Sequence, residues 1–202
     1  MNPGLFSLLA NVSLLILLQT GWMEKMGKDL DTPSVRLRQA LFLLLSLTWV
    51  DLPLRSGVNV NAGLLLCLLF CLHILKKTER QHWAHIFSMI LLMGSTVLLL
   101  QEMYRSEPIL LTYTSQQVLP LLLAWLVLLS TPRFGQQTLV LIGGVSFAEG
   151  MHLLIHQHEI PHIIGDSSFF DMMWMAWSVV MAKEYGWAAL QAKWRNLQWM
   201  TK

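Results

Sequence analysis

The residue types with chemical potential gather in one stretch, "EGMHLLIHQHEIPHIIGD", Glu149 to Asp166. It carries four of the chain's seven histidines and three of its carboxylates. On a helix, residues three and four apart share a face, so Glu149, His152 and His156 would line one side of it. Imidazole with carboxylate suits zinc, iron or copper. An E-x-x-H pair, as at Glu149 and His152, is half of the ligand set that a di-metal helical bundle uses. His152, His156, His158 and His162 are therefore the candidate metal ligands, with zinc or copper as the ion. "DMMWMAW", Asp171 to Trp177, adds thioethers that copper accepts, but lipid-facing methionines and an aromatic belt at Trp174 and Trp177 explain it more simply. No cofactor beyond such an ion is implied.

Three readings compete for this stretch: a metal site, a proton or solute site, and an interfacial loop made polar by neutral histidines. The last covers His156 to His162 well and Glu149 poorly. An acid inside an apolar run is costly and is turned toward a partner or a cavity. Gly143, Gly144, Ala148 and Gly150 surround it, and small residues at four-residue spacing let another helix approach closely. Glu149 should then press against a neighbour at its own depth, with Asp51, Asn59, Asn61, Glu102 and Asp171 as the choices and His152 as its nearest partner on the same helix. The candidate polar or proton site is Glu149, His152, Asp171, Glu102 and Asp51.

The elements that position these groups follow from composition. Hydrophobic residues make up 54% of the 202 and charged residues 13%, with a mean hydropathy of +0.51; a soluble fold would have too little polar surface to cover itself. Continuous rather than alternating apolar runs exclude a barrel and leave helices, the other structure whose backbone satisfies itself in lipid. The runs are Leu5 to Gly21, Ala40 to Leu54, Val58 to Leu75, Trp83 to Leu100, Ile109 to Ser130, Gln137 to Ile155 and Ser167 to Ala182. Thr32 as N-cap and Pro33 as first helical residue would lengthen the short second run. The expected fold is an all-α integral membrane protein, one domain over residues 1–202, with a bundle of about seven transmembrane helices.

Charge orients it. Gap by gap, Lys and Arg alternate to give twelve on one side and two on the other; the richer side is cytoplasmic. The N-terminus is then outside, the C-terminus inside, and the histidine stretch faces out. Two bases against seven acids leave the outer side at −5, and twelve against five leave the inner side at +7. An outer mouth of that sign attracts cations. "MNPG" lacks the basic start of a cleavable signal, so the first run is kept as a helix. The "NVS" at Asn11 falls inside it and is no glycosylation acceptor. Cys67 and Cys71, four apart on a helix, are held in a poor arrangement for a mutual disulfide.

"VNVNAGLLLCLLF", "GGVSFAEGMHLL" and "IGDSSFFD" followed by a last helix resemble the YphA family of small bacterial membrane proteins. The resemblance implies a multi-pass membrane protein of undefined activity and carries no catalytic residue over. At the C-terminus, Trp187, Leu190, Trp194 and Leu197 form one apolar stripe beside Lys193, Arg195 and Lys202, so residues 183–202 read as an interfacial amphipathic helix on the inner leaflet. No nucleic-acid motif, phosphate loop, nucleophile elbow or zinc-finger spacing appears. The expected partners are the lipid bilayer and a membrane protein or second copy of the chain. The expected place is the plasma membrane. The function read from the sequence is non-enzymatic: small-cation or proton handling, or support of a membrane assembly. The alternative is a metal-dependent membrane enzyme with a His/Glu site at the outer surface.

In a background lacking Cys67 and Cys71, single cysteines at positions 57, 106 and 158 should react with an impermeant maleimide in intact cells. Those at 28, 78 and 193 should react only after permeabilisation; labelling of position 133 but not 158 would reverse the last three helices.

Overall fold

The computed structural model describes residues 2–55, 58–106, 115–156 and 162–186, without the side chains of residues 55, 115–117 and 162. Among these residues lie eight α-helices: α1 (Leu5–Gln19), α2 (Glu24–Asp29), α3 (Ser34–Leu47), α4 (Ala62–Lys77), α5 (Trp83–Ser106), α6 (Ser115–Ser130), α7 (Phe134–Ile155) and α8 (Ser167–Met181). Seven of the eight coincide with the seven apolar runs; α2 is a single polar turn and a half between α1 and α3. The Arg80–Ser106 run and Phe134–Ile155 are long and apolar enough to cross a membrane. The remaining five apolar helices have 14 to 16 residues.

The all-α expectation needs correcting. A three-stranded sheet, β1 (Asp51–Arg55), β2 (Val58–Asn61) and β3 (His162–Ile164), closes one end of the bundle. β1 pairs antiparallel with β2, and β2 pairs parallel with β3. The run Ala40 to Leu54 therefore does not continue as a helix beyond Leu47. Pro53 explains the break, because it disfavours helix for the residue before it and tolerates an edge strand. Asn61 makes the return to helix: its Oδ1 accepts from Gly63 N–H at 2.9 Å, while its Nδ2 donates to the Thr48 carbonyl at 2.8 Å and to Asp51 Oδ1 at 3.1 Å. At the start of α3 the roles also shift by one residue. Pro33, in an extended conformation, is the cap, and buried Thr32 turns its hydroxyl back to the Leu30 carbonyl at 3.0 Å.

α7 is the central helix. Residues Phe134 to Ile142 are all buried, and α4, α5, α6 and α8 pack around it. The peripheral helices keep apolar stripes facing outward, such as Leu5, Leu9, Val12 and Ile16 on α1 and Leu65, Leu68, Leu69 and Leu72 on α4. That is the surface expected of helices bounded by lipid. Trp174 and Trp177, expected in an interfacial belt, are instead core residues with 3% and 8% of their surface exposed. Their rings meet edge to face at 5.1 Å, and Trp177 Nε1–H donates to Thr138 Oγ1 at 3.0 Å. The indole donor has a partner on α7, so burying it carries no unsatisfied group. Cys67 and Cys71 are both free and buried.

Asp171 ties the ends of the chain together. Only 9% exposed, it accepts from Gly4 N–H at 2.8 Å and from Ser7 N–H at 2.7 Å. The first turn of α1 has no carboxylate of its own; α8 supplies one across the bundle, meeting orphan amides and the positive end of the helix dipole. At the opposite end Tyr185 O–H donates to Asp29 Oδ2 at 2.9 Å. Burial first, and then this carboxylate, push the Tyr185 phenol well above its ordinary range. Lys77 Nζ pairs with Asp31 Oδ2 at 3.1 Å.

Asp171→Ala strands two amide donors at the start of α1 and should cost about 3 kcal/mol of stability. The measurement is thermal or denaturant unfolding of the detergent-solubilised protein, and Asp171→Asn should fall between wild type and alanine.

Candidate functional site: a carboxylate and two imidazoles at the sheet end

α5 and α7 both run toward the sheet end, and glycines let them touch. A Cβ on Gly94 would lie 2.8 Å from the Gly144 carbonyl oxygen and 2.5 Å from Phe147 Cδ1; one on Gly144 would lie 2.5 Å from Met93 Cγ. No side chain fits at either position without separating the helices. Eight residues beyond Gly94 comes Glu102, and eight beyond Gly144 comes His152, about 12 Å along each axis. Equal offsets from one close contact bring the two side chains to the same level.

Glu102 Oε1 is the shared atom. It accepts from His156 Nε2–H at 2.7 Å and lies 3.5 Å from His152 Nδ1. The imidazole rings stand 4.5 Å apart, tilted by 45°, as expected of side chains four residues apart at a helix end. One ligand atom from each of the three residues lies within 4.8 Å of the others. The side chains are 36%, 23% and 18% exposed for Glu102, His152 and His156, so ions can reach the group while half-burial limits screening.

Glu149 lies on the same stripe of α7 but one turn deeper than His152. Its carboxyl faces the Gly165 backbone N–H and the Gln101 side chain, with Asp166 as the nearest like charge. The expected pairing of Glu149 with His152 thus gives way to a pairing of Glu102 with both histidines. Depth explains it: α5 delivers an acid at the histidine level and an amide, Gln101, at the Glu149 level. Gly165, at φ +74°, makes the turn from β3 into α8 that brings its amide there, a backbone conformation suited to glycine.

The other candidate acids hold the fold. Asp171 caps α1, and Asp51 accepts from Asn61. His158 lies outside the described residues, and His162 is placed only as backbone, opening β3. Residues 187–202 lie outside the described residues too, so the amphipathic tail is not described. Sequence reasoning missed several signals. His158 to His162 reads H-E-I-P-H, and E-x-x-H recurs at Glu79–His82 and Glu159–His162. Such spacings bind metal from one helical face; His82 ends a short 3-10 turn at the opposite end, His162 begins a strand, and His158 and Glu159 lie outside the described residues. Gln101 and Gly165 carried no signal at all, because only the packing of α5 and of the β3–α8 turn makes them neighbours of an acid.

A family model described as YphA-like integral membrane protein matches residues 30–202. The chain belongs to that family. Membership agrees with the outward apolar stripes of the helices and establishes an integral membrane protein. The match includes α5, α7 and all three residues of the cluster, while α1, which Asp171 caps, lies before it. No curated protein and no solved structure matches the chain.

If the three residues form one ligand set, Glu102→Gln and His156→Ala should each weaken zinc binding about tenfold or more, a cost of about 1.4 kcal/mol or above. Glu149→Gln should leave it within twofold, as read by calorimetric titration of the purified protein.

Proposed function

We propose that this YphA-like protein handles a small cation at the sheet end of its bundle, with Glu102, His152 and His156 as the binding group. The supporting observation is one carboxylate oxygen in reach of two imidazole nitrogens contributed by two helices held at fixed register. Such a donor set suits a transition-metal ion and equally a proton shared between carboxylate and imidazole. The acid-rich composition of that end adds attraction for cations arriving from bulk water.

In this reading the protein is multi-pass, with seven spans, the sheet end outside, and the basic end in the cytoplasm of a cell whose plasma membrane holds it. Helices of 14 to 16 residues reach only about 21 to 24 Å, short of a ~30 Å hydrocarbon core. Flanking turns and a locally thinned bilayer accommodate the difference. The two long helices, α5 and α7, are the pair that carries the site.

A second reading, a metal-dependent enzyme at the outer surface, has one observation in its favour. Two histidines and a glutamate form a three-ligand set of the kind that leaves a coordination position open for water or substrate. No nucleophile or second acid is assigned to it.

Reconstituted protein should move Zn²⁺ or protons into vesicles carrying a zinc- or pH-sensitive dye, and Glu102→Gln and His156→Ala should abolish the signal. Near-stoichiometric metal by elemental analysis without any flux would favour the enzyme reading. The absence of both flux and retained metal would overturn the proposal.

A further inference from the structure

A second polar feature lies on the other side of the same end, between α1, α3 and α8. It is a half-open cleft of about 220 Å³ that shares no residue with the Glu102 site. Its floor holds Asn11, two turns into α1. Asn11 is 2% exposed, and its Oδ1 has no hydrogen-bond partner among the described residues. An orphan amide oxygen at that burial costs stability unless something donates to it.

The rim is acidic. Asp51 and Asp166 line the cleft, and no Lys or Arg is among its described lining residues. Asp166 caps α8, accepting from Phe169 N–H at 2.8 Å and from the Ser168 hydroxyl, which lies 2.8 and 3.0 Å from its two oxygens, and Asp51 accepts one hydrogen bond from Asn61. Each carboxylate has about four acceptor positions, so both keep acceptor capacity. Trp49, Trp174, Leu8 and Leu45 are among the residues of its other walls. Indole faces attract organic cations, whereas apolar walls oppose a strongly hydrated inorganic ion.

These features select one ligand chemistry. We infer that the cleft between α1, α3 and α8 binds a primary ammonium group, which donates N–H to Asn11 Oδ1 and places its positive charge between Asp51 and Asp166. The volume suits a headgroup or a small amine, below the several hundred Å³ usual for drug-sized ligands. Two sources carry that chemistry: the ethanolamine head of a membrane lipid, or a free amine entering from the outer side. The inference needs no cation chemistry at Glu102 and stands or falls apart from it.

The test uses the full chain and three probes. Protein exchanged into equal amounts of phosphatidylethanolamine and phosphatidylcholine is examined by native mass spectrometry. Both lipids carry a phosphate, but only the first has ammonium N–H donors. Preferential retention of one phosphatidylethanolamine, reduced about tenfold or more in Asn11→Leu, supports the lipid source. A rise in Tm on adding free ethanolamine to protein in phosphatidylcholine nanodiscs, absent in Asn11→Leu, supports the free amine. Asn11→Leu removes an orphan acceptor and should itself be no less stable than wild type, which separates lost binding from misfolding. Asp166→Asn keeps an N-cap residue while removing the charge, and should weaken whichever signal is found. Equal retention of both lipids with no ethanolamine shift, or signals unchanged in Asn11→Leu, would overturn the inference and leave the Asn11 oxygen served by water alone.

Discussion

The close contact between α5 and α7 is the constraint on which the rest of the sheet end depends. With backbone meeting side chain at Gly94 and Gly144, the two helices can neither separate nor slide without opening a void or a clash. The contact fixes depth as well as distance. Since both helices run the same way from it, Glu102 and His152, at equal offsets, come level, with His156 one turn further along α7 and Gln101 beside Glu149 on the inner side. A shift of one residue along either helix would bring a different pair together. Chemistry at the end of the bundle is thus set by packing in its middle.

Around that contact, polar residues at the same end are mostly spent on holding backbone. Asp171 serves the amides of α1, Asp166 those of α8, and Asn61 those of α4 while also gripping Thr48 and Asp51. In lipid such groups have no water to fall back on, so helix starts near the membrane surface need side-chain acceptors. The acidic surplus of this end therefore has a structural origin first. The Glu102 carboxylate differs because its oxygen meets imidazoles rather than backbone, and Asn11 differs because its oxygen meets nothing among the described residues. Those two departures from the capping pattern are where ligand chemistry has a foothold.

The three-stranded sheet has a similar cause. Between α3 and α4 the chain must turn within a few residues, and Pro53 prevents helix from running on. Extended segments leave amides and carbonyls to be satisfied, and pairing β1, β2 and β3 satisfies many of them. This brings the histidine-rich stretch back beside the α3–α4 connection, so that β3 and the Gly165 turn form one wall of the region facing Glu149. The end of that stretch, His162 to Ile164, is tied to the fold by strand pairing.

Much of this architecture was legible in the sequence. Seven continuous apolar runs in a chain poor in charge demand helices solvated by lipid, because only internal hydrogen bonding satisfies the backbone there. Thr32 and Pro33 announced a helix start, though the cap fell on Pro33 rather than Thr32; the caps at Asn61 and Asp166 became visible only in the structure. The i, i+4 spacing of His152 and His156 fixed that they share a face. The partner of that face lay beyond one-dimensional reading. The sequence favoured Glu149, on the histidines' own helix, and finding Glu102 there instead required the register of α5 against α7, a property of two glycines meeting across the bundle. The burial of Trp174 and Trp177 was hidden likewise, since an apolar helix face reads the same whether it meets lipid or protein. Local backbone demands and solvent class are written along the chain; which distant side chains share a level was decided only when the helices packed.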